Sequence, residues 1–196
     1  MSNAFEKQPV SIHDYLEGEL VSRKKHEFVD GAIYAMAGAS TNHNRIATNA
    51  TVEIGSQLRG KKCQVFNSDM KVRIRQIRST RFYYPDLSVV CQSNEGQESF
   101  QDLPIVIVEV VSDSTRRVDE YEKREAYLSI NSLLVYILME QNAAKALVYR
   151  RTDDGFVREV YFGMDAVIPL KEIECSLSLT EVYTNVEFIP PTHEDE

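Results

Sequence analysis

Two short runs of sequence decide the fold: Tyr84-Pro-Asp-Leu-Ser-Val-Val90 and Ile105-Val-Ile-Val-Glu-Val-Val111. Each run is rich in strand-forming residues and contains one carboxylate, Asp86 in the first and Glu109 in the second. A carboxylate set into an apolar strand is costly unless something pairs with it. The chain between the two acids is long enough for a loop and a return strand. The pattern therefore predicts neighbouring strands whose acids share a partner, for which a divalent metal ion is the natural choice.

The composition is typical of a soluble globular domain. The chain has 196 residues, of which 43% are hydrophobic and 27% charged. No apolar run approaches the roughly 20 residues that span a bilayer, and no secretory signal is visible. We expect a cytoplasmic protein that does not bind membranes. The expected organisation is a disordered or expression-derived N-terminus (1–10), a single domain (11–189) and a disordered acidic tail (190–196).

The three cysteines, Cys63, Cys91 and Cys175, are odd in number and far apart. They form no CxxC pair and suggest no zinc site. We expect free, mostly buried thiols in a reducing cytoplasm.

Charge is unevenly distributed along the chain. The net charge is −8, yet residues 59–81 contain eight lysines and arginines and a single acid, Asp69. Residues 152–196 show the reverse, with two cations and eleven acids. The local field, rather than the net charge, steers a polyanion. The candidate DNA-binding side chains are Lys71, Arg73 and Arg75. The alternative is that this basic run is only a solvated strand face.

The coarse pattern predicts a mixed α/β or α+β fold with a central mixed sheet flanked by helices. The predicted helices cover residues 11–16, 42–58 and 119–128, and a short one lies among turns in 170–186. The predicted strands are 26–29, 32–36, 64–77, 82–90, 105–111, 133–138, 146–150 and 156–162. The first two strands form a hairpin around Asp30-Gly31.

Asp86 and Glu109 are the candidate metal ligands. Mg²⁺ takes oxygen ligands and keeps several waters, so two carboxylates and substrate phosphate oxygens suffice. A metal-bound water is more acidic than bulk water and can attack a phosphodiester. Lys123, on the following helix, could orient that water or stabilise phosphorane charge. The alternative is structural: Asp86 caps a strand, Glu109 forms an internal salt bridge, and Lys123 pairs with Asp119 on an exposed helix face.

Three further polar residues gain importance only if the fold brings them toward Asp86. Glu27 lies beside the hairpin turn, where an exposed polar residue is ordinary. Asp69 interrupts the basic segment and could be a turn residue. His43 lies at the start of the long helix, where a polar residue is also ordinary.

The ordered set of segments resembles the Uma-two family, described as "putative restriction endonucleases" within the PD-(D/E)xK superfamily. The matching segments are His26-Glu-Phe-Val-Asp-Gly31, His43 with the helix after it, Ser68-Asp-Met-Lys-Val72, Tyr84-Pro-Asp-Leu-Ser-Val-Val90, Ile107-Val-Glu-Val-Val-Ser112, Asp119-x-x-x-Lys-x-x-x-Tyr127 and the strand 133–138. The match covers residues 15–151. No single motif is specific, but the ordered set is.

The resemblance implies a restriction-endonuclease-like core with a metal site at one edge of the sheet. It implies Mg²⁺-dependent hydrolysis of DNA, with Mn²⁺ able to substitute, and a homodimer that acts on two strands. It makes Asp86 and Glu109 metal ligands and Glu27 an accessory catalytic acid. The further accessory candidates are His43, Asp69, Ser112 and Tyr127.

One position departs from the superfamily pattern, which has a lysine two residues after the second acid. Here that position is Val111, and Lys123 is the expected replacement. Two alternatives to a nuclease therefore stay open. The chain could be a catalytically weak or inactive nuclease-fold module that binds DNA or regulates, or a protein-interaction scaffold that uses its acidic C-terminal half.

Overall fold

The structure is a computed structural model that describes residues 9–36, 38–111 and 118–188, with the backbone alone for 118–120. The helices are α1 (Ile12–Val21), α2 (Thr41–Leu58), a π-helical turn (Val118–Lys123) that runs into α3 (Arg124–Leu128), a 3₁₀ turn (Lys171–Ile173) and α4 (Leu179–Val182). The strands are β1 (His26–Val29), β2 (Ala32–Ala35), β3 (Gln64–Asn67), β4 (Lys71–Gln76), β5 (Ser79–Tyr83), β6 (Leu87–Val90), β7 (Phe100–Gln101), β8 (Pro104–Val111), β9 (Val135–Glu140), β10 (Lys145–Thr152), β11 (Gly155–Phe162), β12 (Val167–Leu170) and β13 (Cys175–Ser178). The predicted acidic tail, 190–196, lies outside the described residues.

Strand β8 lies inside a six-stranded mixed sheet with the order β11-β10-β9-β8-β6-β3. It runs parallel to β9 and antiparallel to β6, and the other neighbouring pairs are antiparallel. It is apolar on both faces and buried along almost its whole length, as expected for a strand covered from both sides. The predicted central mixed sheet is therefore confirmed.

Helices cover both faces of this sheet. On one face α2 buries Ile46, Ala50, Ile54 and Leu58, which recur every four residues and so form one apolar stripe. On the other face α3 buries Tyr127 against β8 and β9. Within the described ranges, no helix is both long enough and apolar enough to cross a membrane.

A second sheet has the order β2-β1-β5-β4-β7. The chain leaves it at the end of β5 and enters the six-stranded sheet as β6, with Tyr84-Pro85-Asp86 between the two strands. The prediction of one strand over 82–90 is therefore wrong. Pro85 has no N–H to donate to a ladder, so pairing ends there and the chain changes sheets. Asp86 lies at this crossing point.

The predicted strand 64–77 is likewise two strands in different sheets, β3 and β4. A turn separates them, in which the Met70 N–H donates to the Asn67 carbonyl at 3.1 Å. The Asn67 side chain also accepts from the Asp69 N–H at 3.0 Å. Such Asx turns compete locally with strand pairing, because a short side chain satisfies a backbone donor.

The predicted hairpin around Asp30-Gly31 is confirmed, with β1 and β2 antiparallel. Asp30 and Gly31 both have positive φ, 52° and 94°, as the mirror-image hairpin turns require. A Cβ on Gly31 would lie 2.6 Å from the Pro9 Cβ, so only glycine fits there.

The prediction of three free thiols is wrong. Cys63 and Cys91 form a disulfide between the start of β3 and the end of β6, where the antiparallel register brings the two chain segments together. Cys175 alone is free, and it is half-buried. Burial raises the pKa of the Cys175 thiol. The cysteines therefore no longer support the expected reducing compartment.

Candidate active site

The two predicted carboxylates lie side by side at the ends of β6 and β8. Leu87 faces Val108 in the antiparallel register, so Asp86, one residue earlier, faces Glu109. The Glu109 carboxylate accepts from the Asp86 N–H at 3.3 Å. The Asp86 carboxylate accepts from the Val110 N–H at 2.8 Å. The Glu109 carboxylate thus binds the backbone of Asp86, and the Asp86 carboxylate binds the backbone next to Glu109. These bonds fix both carboxylates at the ends of two interior strands of the sheet.

Lys123 reaches these acids from the last residue of the π-helical turn. Its Nζ lies 2.9 Å from Glu27 Oε1 and 3.5 Å from Glu109 Oε1. Its side chain is only 9% exposed, so the alternative of an exposed helix-face pair does not hold. π-Helical turns are rare and occur often at functional sites.

The fold also explains the departure at Val111. This residue shares a face of β8 with Glu109 and is buried in the apolar core between the sheet and α3. A lysine there would place its charge in that core. The amine that does contact Glu109 belongs to Lys123, at the end of the neighbouring π-helical turn.

Tyr127 holds Glu109 from the same side as Lys123. Its hydroxyl donates to Glu109 Oε1 at 3.0 Å, and the ring is fully buried. Burial, together with the charge of Glu109, raises the pKa of Tyr127 well above its usual value. The hydroxyl therefore stays protonated and remains a hydrogen-bond donor.

His43 contacts Asp86 from the opposite face of the sheet. Ser40 caps α2 by accepting from the His43 N–H, which fixes His43 in the first turn. The His43 Nε2 lies 2.9 Å from Asp86 Oδ1. Together with Tyr127, five ionisable polar side chains form one continuous network in the site. They are Glu27, His43, Asp86, Glu109 and Lys123.

A second set of hydrogen bonds supports this network and was not predicted from the sequence. The Tyr84 N–H donates to Glu27 Oε1 at 3.3 Å, and its hydroxyl donates to Glu19 at 2.7 Å. Lys71 donates to that hydroxyl at 3.1 Å, and Glu19 in turn contacts His26 Nδ1 at 2.8 Å. Burial lowers the pKa of Lys71. These partners are far apart in the chain, so no local pattern could have shown them.

Two of the three predicted DNA-binding cations are not on an open surface. Lys71 is buried, only 4% exposed. Arg73 makes a bidentate ion pair with Asp102, at 2.7 and 2.6 Å, and lies over the Phe100 ring. Arg75 is exposed. The three cations share one face of β4, but the rings of Tyr84 and Phe100 lie against Lys71 and Arg73, so of the three only Arg75 is exposed. A role of these cations in DNA binding stays a prediction.

One accessory candidate, Asp69, does not join the site. Asp69 is a turn residue whose exposed carboxylate pairs with Lys25 at 2.6 Å. No described contact brings it to Asp86. Ser112 lies outside the described residues.

The donor set suits a hard cation. Asp86 and Glu109 supply carboxylate oxygens at one strand edge, and Mg²⁺ binds through one or two carboxylates while keeping waters and substrate phosphates. Among residues 9–36, 38–111 and 118–188, no three His, Cys, Asp or Glu side chains form a ready-made metal cage. The two carboxylates, whose side chains are 15% and 4% exposed, fit an ion that takes the rest of its coordination shell from water and phosphate.

Fold and site together define a mixed-sheet α+β protein with an acid–lysine cluster at the strand ends of its central sheet. The family model described as "Putative restriction endonuclease", Uma2, matches residues 12–181, and the chain belongs to that family.

Two relatives and a solved structure are also similar to this chain. A protein of Synechocystis sp. (strain ATCC 27184 / PCC 6803 / Kazusa), named uncharacterized, is 31% identical over 180 residues, which is 91% of this chain and 94% of the relative. A second uncharacterized Synechocystis protein is 31% identical over 144 residues, 72% of this chain and 80% of that relative. The crystal structure of "a putative nuclease belonging to DUF820" from Anabaena variabilis ATCC 29413 has a TM-score of 0.70 at 16% identity. It aligns with 90% of this chain and 98% of its own, and this likeness confirms the predicted restriction-endonuclease-like fold.

Proposed function

We propose that this protein is a metal-dependent endonuclease that hydrolyses DNA phosphodiester bonds. The observation that supports this best is the convergence of Asp86, Glu109 and Lys123 at the ends of two neighbouring strands. The chain also belongs to a family described as "Putative restriction endonuclease". Family membership supports nuclease chemistry, and the donor set supports the metal.

Asp86 and Glu109 would hold Mg²⁺, with Mn²⁺ able to take its place. When bound, the ion supplies an acidic water as nucleophile and neutralises charge that develops on the phosphate. The crossed backbone hydrogen bonds of the two acids fix their carboxylates before any ion arrives. Such preorganisation lowers the cost of forming the site.

Lys123 would donate hydrogen bonds to the attacking water or to a phosphate oxygen. Glu27 and Glu109 flank its ammonium and hold it beside the end of β8. Glu27 thus acts as an accessory acid that orients the lysine. Tyr127 orients Glu109 and His43 orients Asp86, each by one hydrogen bond.

The test measures the conversion of supercoiled plasmid to nicked or linear DNA in the presence of Mg²⁺ or Mn²⁺. Asp86→Asn and Glu109→Gln keep the side-chain shape but remove the charge, and we expect each to lower the cleavage rate at least about 100-fold. The matched controls are Asp153→Asn and Glu98→Gln, because both acids are exposed and distant from the site. Robust metal-dependent cleavage by both site variants would refute the proposal.

The same assay separates the alternatives. DNA binding with steep salt dependence, but without cleavage under any metal, would favour a binding or regulatory module. Absence of both metal and DNA binding would favour a protein scaffold.

A homodimer is part of the proposal, since cutting both strands of a duplex at once needs two sites. A dimer yields linear plasmid early in the reaction, whereas a monomer accumulates nicked circles. Sedimentation at the assay concentration gives the matching measure of assembly. A monomeric sedimentation coefficient with nicked circles as product would remove the dimer from the proposal and keep the nuclease.

A further inference from the structure

A cation–aromatic surface lies next to the candidate active site and takes no part in its network. The Arg124 guanidinium lies over the rings of Tyr121 and Tyr149, at 5.6 and 5.5 Å from their centroids. It also donates to the Tyr149 hydroxyl at 3.4 Å. Tyr121 is 61% exposed. Water therefore reaches a ring whose neighbour is a guanidinium.

The neighbouring edge strand β11 extends this surface. Arg158 faces Tyr149 in the β10–β11 register and is exposed. On the same face of β11, Val160 and Phe162 are also exposed. Among the described residues, no carboxylate forms an ion pair with Arg124 or Arg158. The surface thus offers two cations that no acid of the described side chains neutralises.

This surface shares a sheet face with Glu109. Ile107, Tyr136 and Tyr149 form one row across β8, β9 and β10, and Glu109 lies two residues further along β8. With strands about 4.8 Å apart, the Cα atoms of Tyr149 and Glu109 are about 12 Å apart. A few nucleotides of a DNA strand cover that distance.

A row of tyrosine rings connects the two places. Tyr127, whose hydroxyl binds Glu109, contacts Tyr136 with ring centroids 5.4 Å apart. Tyr136 stacks on Tyr149 at 6.2 Å. Arg124 also directly follows Lys123 in the chain. The surface is therefore held rigidly relative to the candidate site.

We infer that this surface binds single-stranded or unpaired DNA beside the cleavage site, with a base stacked on Tyr121 and phosphates contacting Arg124 and Arg158. The inference rests on the proposed function and adds to it a preference for DNA whose bases are unpaired beside the scissile bond. Stacking on an exposed ring needs a free base face, which duplex DNA hides, and every base has one. Arg adds a cation–π contact and neutralises phosphate.

A second copy of the chain fits this surface less well. A symmetric interface brings the same patch of both copies together, so the cations Arg124 and Arg158 would meet a patch of the same sign. A polyanion instead complements both charges.

The test measures binding of a fluorescein-labelled oligothymidylate by anisotropy, with the full chain in EDTA so that no cleavage occurs. Tyr121→Ala should weaken binding about 5- to 150-fold, the range that corresponds to the loss of one base–aromatic stack. Tyr121→Phe keeps the ring and should leave the dissociation constant unchanged. Arg124→Ala should weaken binding, and a duplex of the same length should bind less tightly than the single strand.

Two control variants remove exposed side chains away from this surface. Val52→Ala shortens a side chain that is 64% exposed on α2, the helix on the opposite face of the sheet, and Arg23→Ala removes an exposed arginine after α1. Neither should change the dissociation constant. Because Tyr121 is exposed, Tyr121→Ala should also keep the melting temperature of the parent protein, which separates lost binding from lost folding.

The results distinguish this inference from the nuclease proposal. If the parent protein cleaves no DNA but Tyr121→Ala binds the single strand more weakly than the parent, the inference is supported and the nuclease proposal is refuted. Cleavage with single-strand affinity unchanged in Tyr121→Ala and Arg124→Ala overturns the inference alone. The inference is also overturned if the protein is a dimer that Phe162→Asp dissociates, while Tyr121→Ala keeps its affinity for the single strand. That result would assign the surface to a second copy of the chain.

Discussion

Two carboxylates of the candidate site share one buried lysine as their partner. Lys123 lies between Glu27 and Glu109 and is almost fully buried. Two carboxylates that close to each other repel in a low-dielectric setting unless a cation separates them. The lysine therefore contributes to the stability of the metal-free protein as well as to the proposed chemistry.

We predict that Lys123→Met destabilises the metal-free protein by about 3–5 kcal/mol at pH 7. The change removes one partner from a buried ionic cluster and leaves two uncompensated carboxylates. Urea unfolding followed by circular dichroism measures the effect, and Lys62→Met, at an exposed position, is the control. Equal stability of the two variants would show that Lys123 is not buried between the acids.

Pairs of elements are held together by side chains that the sequence presents as surface charge. Arg73 on β4 binds Asp102, which follows β7, and so ties the end of the second sheet to the start of β8. Burial raises the pKa of Asp102, but hydrogen bonds from Arg73 and Asn94 outweigh it and leave the pKa below its ordinary value. A lowered pKa means that the unfolded chain binds more protons in acid, so this contribution is lost as pH falls.

Asp102→Asn should therefore cost about 1.5–3 kcal/mol of unfolding free energy at pH 7. The difference between variant and parent should be fully present above the unfolded pKa of about 3.9 and shrink below it. Denaturant midpoints at pH 7 and in acid measure this, with Asp153→Asn as an exposed control. A difference that does not depend on pH would contradict the assigned ion pair.

The Cys63–Cys91 disulfide closes a loop with a sequence separation of 28 residues between neighbouring strands. Cross-linking a loop of this size stabilises a fold by about 3–4 kcal/mol through the unfolded state. We predict that Cys63→Ser lowers the melting temperature as much as reductant does, while Cys175→Ser has no effect. Unchanged melting in reductant would argue against the disulfide.

The molecule as a whole carries a net charge of −8, yet it is proposed to bind a polyanion. The charge of the basic segment alone is misleading, because Lys71 and Arg73 in it already bind other side chains of the protein. Attraction to DNA must come from cations that the fold leaves at the surface, among them Arg124 and Arg158. Surface position, and not sequence density, decides which charges a ligand meets.

A salt titration tests this at the level of the whole molecule. The logarithm of the single-strand binding constant falls with the logarithm of salt concentration by about 0.7 for each phosphate contact. Arg124→Ala should reduce that slope by about 0.7, whereas Arg23→Ala should leave it unchanged. A slope that Arg124→Ala does not change would mean that this arginine contacts no phosphate.

Local signals in the sequence predicted much of the framework. The apolar runs around Asp86 and Glu109 indicated paired strands, the four-residue spacing of Ile46, Ala50 and Ile54 indicated one face of α2, and Asp30-Gly31 indicated a hairpin. These signals depend on residues close in the chain, where side-chain period and backbone sterics act directly. The order of the motifs was sufficient to suggest the family.

Tertiary structure alone decided which side chains meet. The change of sheet at Pro85, the pairing of Cys63 with Cys91 and the burial of Lys71 all depend on contacts between distant parts of the chain. So does the approach of Lys123 to Glu109. The sequence by itself determined the two carboxylates and their strands, because strand pattern is local. Only the packing of the π-helical turn against β8 decided their cationic partner, because the partner of a buried charge is set by what lies next to it in space.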